Sequence, residues 1–256
     1  MEIGAITSRI DVAEVLLLVF FAFFAGLIFY LRREDRREGY PLVSEGSDTP
    51  KDHGFIWIPG PKTFVLADGR KILAPNGKSD TRTLKAVPGE PWLGAPLRPV
   101  GDPMLANVGP GSYAERMDIA DVTFEGHPRI VPLRASAGFV IEGRDPDPRG
   151  MSVIGGDGKA AGDVTDVWVD RSECLIRYLE VGLHASTKRV LVPMTFCIVK
   201  SGQRSIVVDA ITAGQFADVP QLKSPDTVTL LEEDRICGYY GGGTLYATAA
   251  RQEPLL

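Results

Sequence analysis

The strongest constraint on this chain is an uncharged run of 17 residues, VLLLVFFAFFAGLIFYL, from Val15 to Leu31. Extended back to Val12, the run gains a single charge, Glu14. As an α-helix it would be about 30 Å long at 1.5 Å per residue, which matches the hydrocarbon core of a bilayer. We therefore predict one transmembrane helix over residues 12–31, preceded by an extramembrane segment over residues 1–11.

Two alternatives compete with a membrane span. A cleaved signal peptide is disfavoured because the run is too long, because Glu2, Asp11 and Glu14 precede it with only Arg9, and because no small-residue cleavage site precedes the RREDRR stretch. A buried helix of a soluble protein stays open as the second alternative, since 17 uncharged residues lie near the lower limit for a span.

The basic residues that flank the run predict its orientation. Four arginines follow the run and one precedes it. By the positive-inside rule, the N-terminus is expected in the periplasm and the bulk of the chain in the cytoplasm. The four that follow are Arg32, Arg33, Arg36 and Arg37.

Three acids are interleaved with these arginines. If the helix continues, its i,i+4 pairs are like-charged, and only the i,i+3 pairs Arg32–Asp35 and Glu34–Arg37 compensate. Anionic lipid headgroups account for the arginines but would repel the acids. We therefore expect a protein partner to form ion pairs with some of these charged residues.

Charge and cysteine content disfavour a nucleic-acid-binding protein and a disulfide-stabilised fold. The chain has 256 residues, with 28 Lys and Arg against 33 Asp and Glu, so its formal net charge is -5. An acidic chain is a poor candidate for a nucleic-acid partner, because phosphate binding needs a basic surface. Cys174, Cys197 and Cys237 form no CxxC pair, which is typical of reduced thiols and not of a disulfide framework.

The rest of the chain divides by composition. Of the 19 prolines, 13 lie between Pro41 and Pro132, which predicts a juxtamembrane, loop-rich region over residues 32–129 that takes its shape from a partner. From residue 130 onward, short β-branched segments predict a small antiparallel barrel or sandwich over residues 130–256. These segments include one at Phe139 and a long one from Arg189, and a helix from Thr227 to Ile236 is expected to end at Gly241–Gly243.

Motifs for self-contained catalysis were not found. The sequence has no nucleophile elbow, zinc-protease motif, phosphate loop or dinucleotide fingerprint, and no two of its three histidines have metal-pair spacing, so no metal site is predicted. The GGDGK stretch at Gly155–Lys159 is interpreted as a hairpin turn. From the residues alone, Asp170 and Glu173 are interpreted as solvated acids of a turn, and the chain is not an enzyme by itself.

Several long motifs nevertheless match a known family in order along the chain. They include YLRREDRREGYPL from Tyr30, DVWVDRSE at Asp166–Glu173 and VTLLEEDRICGYYGGGTLYAT at Val228–Thr248. Together they resemble the H subunit of the purple-bacterial photosynthetic reaction centre. The resemblance implies a single transmembrane helix plus a mainly-β cytoplasmic domain with a PRC-type small antiparallel barrel.

The resemblance also implies partners and cofactors. The H subunit caps the L and M subunits in the bacterial inner, intracytoplasmic photosynthetic membrane, contacts membrane lipids and binds no redox cofactor itself. The complex carries bacteriochlorophyll, bacteriopheophytin, quinones, non-haem iron and a carotenoid. Whether a cytochrome subunit and a light-harvesting ring also bind is left open by the resemblance.

Site residues follow from the resemblance position by position. Glu173 and Asp170 fall on carboxylates that relay protons to the secondary quinone. The proton uptake surface departs from the family pattern, with His127 on one histidine, Glu125 on the other and Thr123 on an acid, which puts tight transition-metal binding in doubt. Interface and electrostatic roles are implied for the remaining positions, which are Arg177, Arg70, Glu233, Arg32, Arg33, Arg36, Arg37 and Tyr40.

Two other functional classes were weighed against this one. A PRC-type barrel also serves as a binding module elsewhere, for example in ribosome maturation, so a membrane-tethered adaptor without a photochemical role is the alternative. A membrane-anchored hydrolase would need a nucleophile and a base, and the sequence offers no such pair. Expression together with pigment-binding subunits would distinguish the reaction-centre hypothesis from both.

Overall fold

The computed structural model describes residues 11–42, 51, 54–78, 80–92 and 94–252. The chain forms two compact units, Met1–Ser79 and Asp80–Leu256. All but the last residue of the predicted N-terminal extramembrane segment lies outside the described residues.

The first unit begins with a long apolar helix. Helix α1 spans Val12–Glu34, and Asp11 caps it by accepting a hydrogen bond from the backbone N–H of Glu14 at 2.7 Å. None of its residues is buried, and its length and composition suit a membrane span. The helix ends at Glu34, beyond the predicted Leu31, and continues as a 3₁₀ turn over Asp35–Arg37.

The rest of the described first unit contains one short hairpin. Strand β1 (Lys62–Val65) pairs antiparallel with β2 (Lys71–Ala74). The connecting turn is closed by the backbone N–H of Leu66, which donates to the carbonyl of Arg70 at 2.8 Å. Such short elements are what a proline-rich segment allows, because proline removes hydrogen-bond donors from a ladder.

The second unit contains a small hairpin and one large sheet. Strand β3 (Ala86–Pro88) pairs with β4 (Leu97–Pro99). The sheet has seven strands in the order β10-β11-β6-β7-β8-β9, with β5 also paired to β7. Its strands are β5 (Ile130–Pro132), β6 (Ser152–Gly155), β7 (Ala160–Asp170), β8 (Leu175–Leu183), β9 (Arg189–Pro193), β10 (Ile198–Lys200) and β11 (Ser205–Val208).

Pairing within the sheet is antiparallel except between β11 and β6, which are parallel. Local turns explain the antiparallel pairs other than β5–β7. For example, β6 and β7 are joined by the predicted turn at Gly155–Lys159, where the N–H of Gly155 donates to the carbonyl of Lys159 at 2.9 Å. The parallel pair arises because the chain traverses β7 to β10 before β11 returns beside β6. The sheet buries an apolar core that includes Val153, Trp168 and Leu179.

Two predicted strands differ from the structure. The segment at Phe139 is irregular, because Gly138 has a φ of 90° and Val140 is 87% exposed, so no neighbouring strand covers it. The long segment from Arg189 is broken after Pro193 by a 3₁₀ turn and becomes β9 and β10.

The C-terminal helix departs most clearly from prediction. Helix α2 spans Leu230–Tyr246 and begins with a capping box between Thr229 and Glu232. It passes through the glycine run that was predicted to end it. A Cβ added at Gly242 would lie 3.0 Å from the Cα of Gly111, and one at Gly243 would lie 2.4 Å from the carbonyl oxygen of Ala210. The glycines are therefore a packing face, not a stop signal.

Part of the proline-rich region supplies the surface that this face contacts. Met104, Ala106 and Val108 are buried, and the 3₁₀ turns Pro103–Leu105 and Gly109–Gly111 pack against α2. This stretch therefore takes its shape from the chain itself.

Substituting Gly243 tests the packing face. Alanine normally stabilises a helix by about 1 kcal/mol relative to glycine. We expect Gly243→Ala to destabilise the full chain instead, by about 1–3 kcal/mol, because the added Cβ overlaps Ala210 and Ile211. Urea unfolding in detergent, followed by near-ultraviolet circular dichroism, measures the change. Gly214→Ala is the control because its Cβ would meet no atom within 4 Å, and a gain in stability from Gly243→Ala would contradict the packing role.

Candidate functional site

The turn between β7 and β8 is organised by the side chain of Asp170. Its Oδ1 accepts hydrogen bonds from the backbone N–H groups of Ser172 at 2.9 Å and Glu173 at 3.0 Å. Its carbonyl accepts from the N–H of Cys174 at 2.9 Å, where the chain turns with a φ of 54°. Asp170 thus sets the position of Glu173, three residues further along.

Arg129 lies against this turn because β5 pairs with β7. Ile130 stands opposite Asp170 in the register, and the carbonyl of Arg129 accepts from the N–H of Arg171 at 2.9 Å. The Arg129 guanidinium donates to Asp170 Oδ1 from Nε at 3.0 Å, and it also donates to the carboxylate of Glu173. A third acid, Asp121, accepts from its Nη1 at 3.3 Å. One arginine therefore joins three carboxylates.

The two carboxylates of the predicted relay differ in environment. Asp170 is fully buried, whereas the side chain of Glu173 is 52% exposed. The interpretation of both as solvated turn acids was wrong for Asp170. Its Oδ2 lies 2.8 Å from Arg129 Nη2, but without the alignment of a hydrogen bond.

Nearby charge and burial have opposite effects on the pKa of Asp170. Burial by itself raises the pKa of this carboxyl group, but Arg129 and the N–H groups of Glu173 and Ser172 outweigh burial. The pKa of Asp170 is consequently held below its usual value of 3.8. Asp170 is a buried anion at neutral pH.

The predicted proton uptake residues line one open pocket beside this turn. Thr123, Glu125 and His127 form the pocket together with Phe124, Arg171 and Ser172. The backbone closes on itself there, because the N–H of Thr123 donates to the carbonyl of His127 at 2.8 Å. Arg171 donates to the carbonyl of Pro128 at 3.0 Å, which fixes the pocket to the Asp170 turn.

The electrostatics of this pocket favour an ionised carboxylate. The pKa of Glu125 lies below its usual value because the Thr123 hydroxyl is beside it, and because Arg171 contributes positive charge. The Thr123 hydroxyl is close to the carboxylate but falls short of a well-formed hydrogen bond. Within the described part of the chain, no group of three or more His, Cys, Asp or Glu side chains is arranged to hold a metal ion.

Glu233 occupies a separate buried position on α2. Tyr178 donates a hydrogen bond to its carboxylate at 2.7 Å, and Arg177 lies 3.9 Å away. Burial raises the pKa of Glu233, and these two contacts only partly offset that effect. Arg177, for which an electrostatic role was predicted, thus lies beside Glu233 of its own chain.

The other predicted interface residues lie in the first unit. Arg70 is in the hairpin turn between β1 and β2, where it pairs with Asp68. Arg36 lies 5.7 Å from the ring centroid of Tyr40. The expected i,i+3 pairs are present, with Arg32 3.7 Å from Asp35 and Arg37 2.9 Å from Glu34.

Sequence patterns did not predict two features of the second unit, the ion pairs of Arg129 and the buried acid Glu180. Arg129 gave no local signal, because its partner Asp170 is 41 residues away. Glu180 is buried in β8, where it accepts hydrogen bonds from Arg134 at 2.8 Å and from the Trp168 indole at 3.0 Å. For Glu180, the available signal was an acid that stands between the apolar residues Leu179 and Val181.

Replacing Arg129 tests the ion pair with Asp170. Arg129→Leu removes the cation, so burial then raises the pKa of Asp170 above its unfolded value. The loss of stability relative to wild type should be small below the usual aspartate pKa and grow as pH rises through it, to about 3 kcal/mol near neutral pH. Urea unfolding of the full chain across this pH range measures the loss.

Arg149→Leu is the matched control for this substitution. It breaks an exposed 2.6 Å pair with Asp147, which should cost less than about 1 kcal/mol. A loss for Arg129→Leu that is as small as the control, or that does not change with pH, would contradict the assignment.

Two protein-family models match this chain. The model of the photosynthetic reaction centre H-chain N-terminal region matches residues 4–135, which is more than half of the chain. The PRC-barrel domain model matches residues 141–215, which include β6 to β11, and confirms the predicted fold class of one apolar helix plus a mainly-β domain. The chain therefore belongs to the family of photosynthetic reaction-centre H chains.

Proposed function

We propose that this chain caps the L and M subunits of a photosynthetic reaction centre, stabilises the quinone region and helps to deliver protons to the secondary quinone. The family match supports an accessory subunit of a light-driven electron-transfer complex. The observation that carries the proton role is that the pocket of Glu125 and His127 adjoins the turn between β7 and β8. Arg171 and Ser172 line the pocket, and Asp170 Oδ1 accepts from the backbone N–H groups of Ser172 and Glu173.

Each relay residue has a distinct task in this proposal. Reduced quinone takes up two protons inside a site that excludes water, so protons must be supplied by groups that reach from the surface. Glu125 and His127 gather protons at the open pocket. Asp170, with its lowered pKa, stays ionised and holds Arg129 and the turn in place. Glu173 is the member that takes and passes the proton, because it is half exposed and next to this fixed anion.

Exposed apolar side chains around the turn support a partner surface at this place. Phe124 is 95% exposed in the wall of the pocket, and Leu175, directly after the turn, is 42% exposed. Val122, two residues before Phe124, is 47% exposed. Clustered exposed apolar residues usually mark an interface, and covering them with L and M would also shield Glu173 from bulk water.

The proposal extends to cofactors, topology and organisation. Bacteriochlorophyll, bacteriopheophytin, quinones, non-haem iron and carotenoid are assigned to the partner subunits. The N-terminus is placed in the periplasm, and the domain after the helix in the cytoplasm of a photosynthetic bacterium. Residues 32–129, apart from the stretch that packs against α2, are assigned to contacts with partners, and residues 130–256 to the cytoplasmic domain. A tethered adaptor is disfavoured because the H-chain match covers residues 4–135 and not only the PRC-type domain.

Glu173→Gln tests the relay in the assembled complex. The amide cannot carry a proton between donors and acceptors in the same way, so proton-coupled reduction of the secondary quinone should slow by about tenfold or more. Flash spectroscopy of purified complexes, with a pH-indicator dye for proton uptake, measures both events. Assembly should be unchanged, because glutamine keeps the size of this half-exposed side chain and an oxygen that can accept from Arg129.

Glu142→Gln serves as the control for charge removal. Glu142 is exposed and lies 3.4 Å from Arg144, away from the Asp170 turn. It should leave both rates at the wild-type value. Unchanged kinetics in Glu173→Gln would refute the relay role while leaving the assembly role intact.

A further inference from the structure

A short apolar segment folds back onto the cytoplasmic end of α1. We call residues 54–60, which read GFIWIPG, the aromatic fold-back. Arg36 donates a hydrogen bond to the carbonyl of Ile56, and Arg37 donates one to the carbonyl of Gly60. The 3₁₀ turn that follows the helix thereby holds the aromatic fold-back at both of these points.

Aromatic contacts fix the side chain of Trp57 at the same level. The Trp57 ring packs edge-on against Phe29, with centroids 6.1 Å apart. Arg33 lies over two rings, 5.8 Å from the Trp57 centroid and 5.6 Å from the Tyr30 centroid. Trp57 therefore lies between the last apolar turn of α1 and the first arginines.

That level is where the edge of the hydrocarbon must lie if α1 spans the bilayer. The uncharged run ends at Leu31, and the residues from Phe29 to Arg37 cover only about 12 Å along the axis. Tryptophan and tyrosine concentrate at this depth in membrane proteins, because their rings are apolar with one polar group. Phe55 and Trp57 are 86% and 59% exposed there.

The backbone of the aromatic fold-back is also suited to a poorly hydrated environment, because two of its carbonyl groups accept hydrogen bonds. Unpaired carbonyl groups are costly near hydrocarbon. Two carbonyls of this non-helical stretch, those of Ile56 and Gly60, are occupied by arginine donors. Residues 54–61 carry no charged side chain, whereas Lys62 directly after them pairs with Glu34.

We infer that the aromatic fold-back is a second membrane contact of this chain, which inserts Phe55 and Trp57 into the interfacial layer of the bilayer that α1 crosses. Its occupant is lipid, because the surface continues the apolar surface of α1, none of whose residues is buried. Basic residues beside it are suited to lipid phosphates. The inference rests on the proposed membrane placement of α1, and it separates residues 54–60 from the region assigned to the L and M subunits.

Quenching by brominated lipids in phosphatidylcholine vesicles tests this inference on the full chain. The chain has three tryptophans, and Trp168 is fully buried in the second unit. With Trp92→Phe as the background, lipid brominated near the headgroup should reduce emission more than lipid brominated near the end of the acyl chain. Adding Trp57→Phe should abolish that loss.

A second reporter separates this inference from the placement of α1. Phe21→Trp, made in a chain that lacks Trp57 and Trp92, should be quenched most by lipid brominated deep in the acyl chain. Quenching of this reporter without quenching of Trp57 would overturn the membrane contact and leave the span intact. Absence of quenching at both positions would overturn the span as well.

Arginine variants test whether the hydrogen bonds to the backbone hold the aromatic fold-back in place. Arg37→Met removes the donor to Gly60 and should reduce headgroup-level quenching of Trp57. Arg32→Met removes the same charge from a side chain whose ion pair is with Asp35 at 3.7 Å, so it should retain the wild-type quenching. Equal effects of both variants would refute the specific role of Arg37.

Discussion

The buried ion pair between Asp170 and Arg129 is the interaction on which the candidate site depends, that is, the turn between β7 and β8 and the pocket beside it. A buried carboxylate is tolerated only when charge and hydrogen bonds compensate its lost hydration. Here the compensation comes from Arg129 and from two backbone N–H groups of the turn. One arrangement therefore joins β5 to β7, shapes the turn and places Glu173 beside the pocket of Glu125 and His127.

Much of the fold could be predicted from local patterns. The uncharged run has the length of a span, and most of the short β-branched segments after residue 130 became strands, among them Leu175–Leu183. The i,i+3 ion pairs after the run were also correct. Burial of Asp170 was missed because it depends on Arg129, which the sheet brings from far along the chain. Local residues showed only an acid in a turn.

The glycines of α2 also show that local sequence patterns cannot predict an effect of tertiary packing. A run of three glycines weakens an isolated helix, and the sequence alone therefore predicted a stop. In the folded chain, Gly243 admits the backbone of Ala210 at a distance that no Cβ would permit, and Gly242 admits Gly111 at a distance tighter than most Cβ contacts. Tertiary packing thus outweighs propensity, and the proline-rich stretch before the sheet gains its shape from this contact.

Membership of the reaction-centre family makes association with pigment-bearing subunits the central claim. The most direct measurement is to place a tag at the C-terminus, extract native membranes in mild detergent, purify on the tag and record the near-infrared absorption. Bacteriochlorophyll and bacteriopheophytin bands that bleach in light, together with two hydrophobic subunits, are the predicted result. A colourless protein from a strain that makes these pigments would contradict the proposed function and favour a membrane-tethered adaptor.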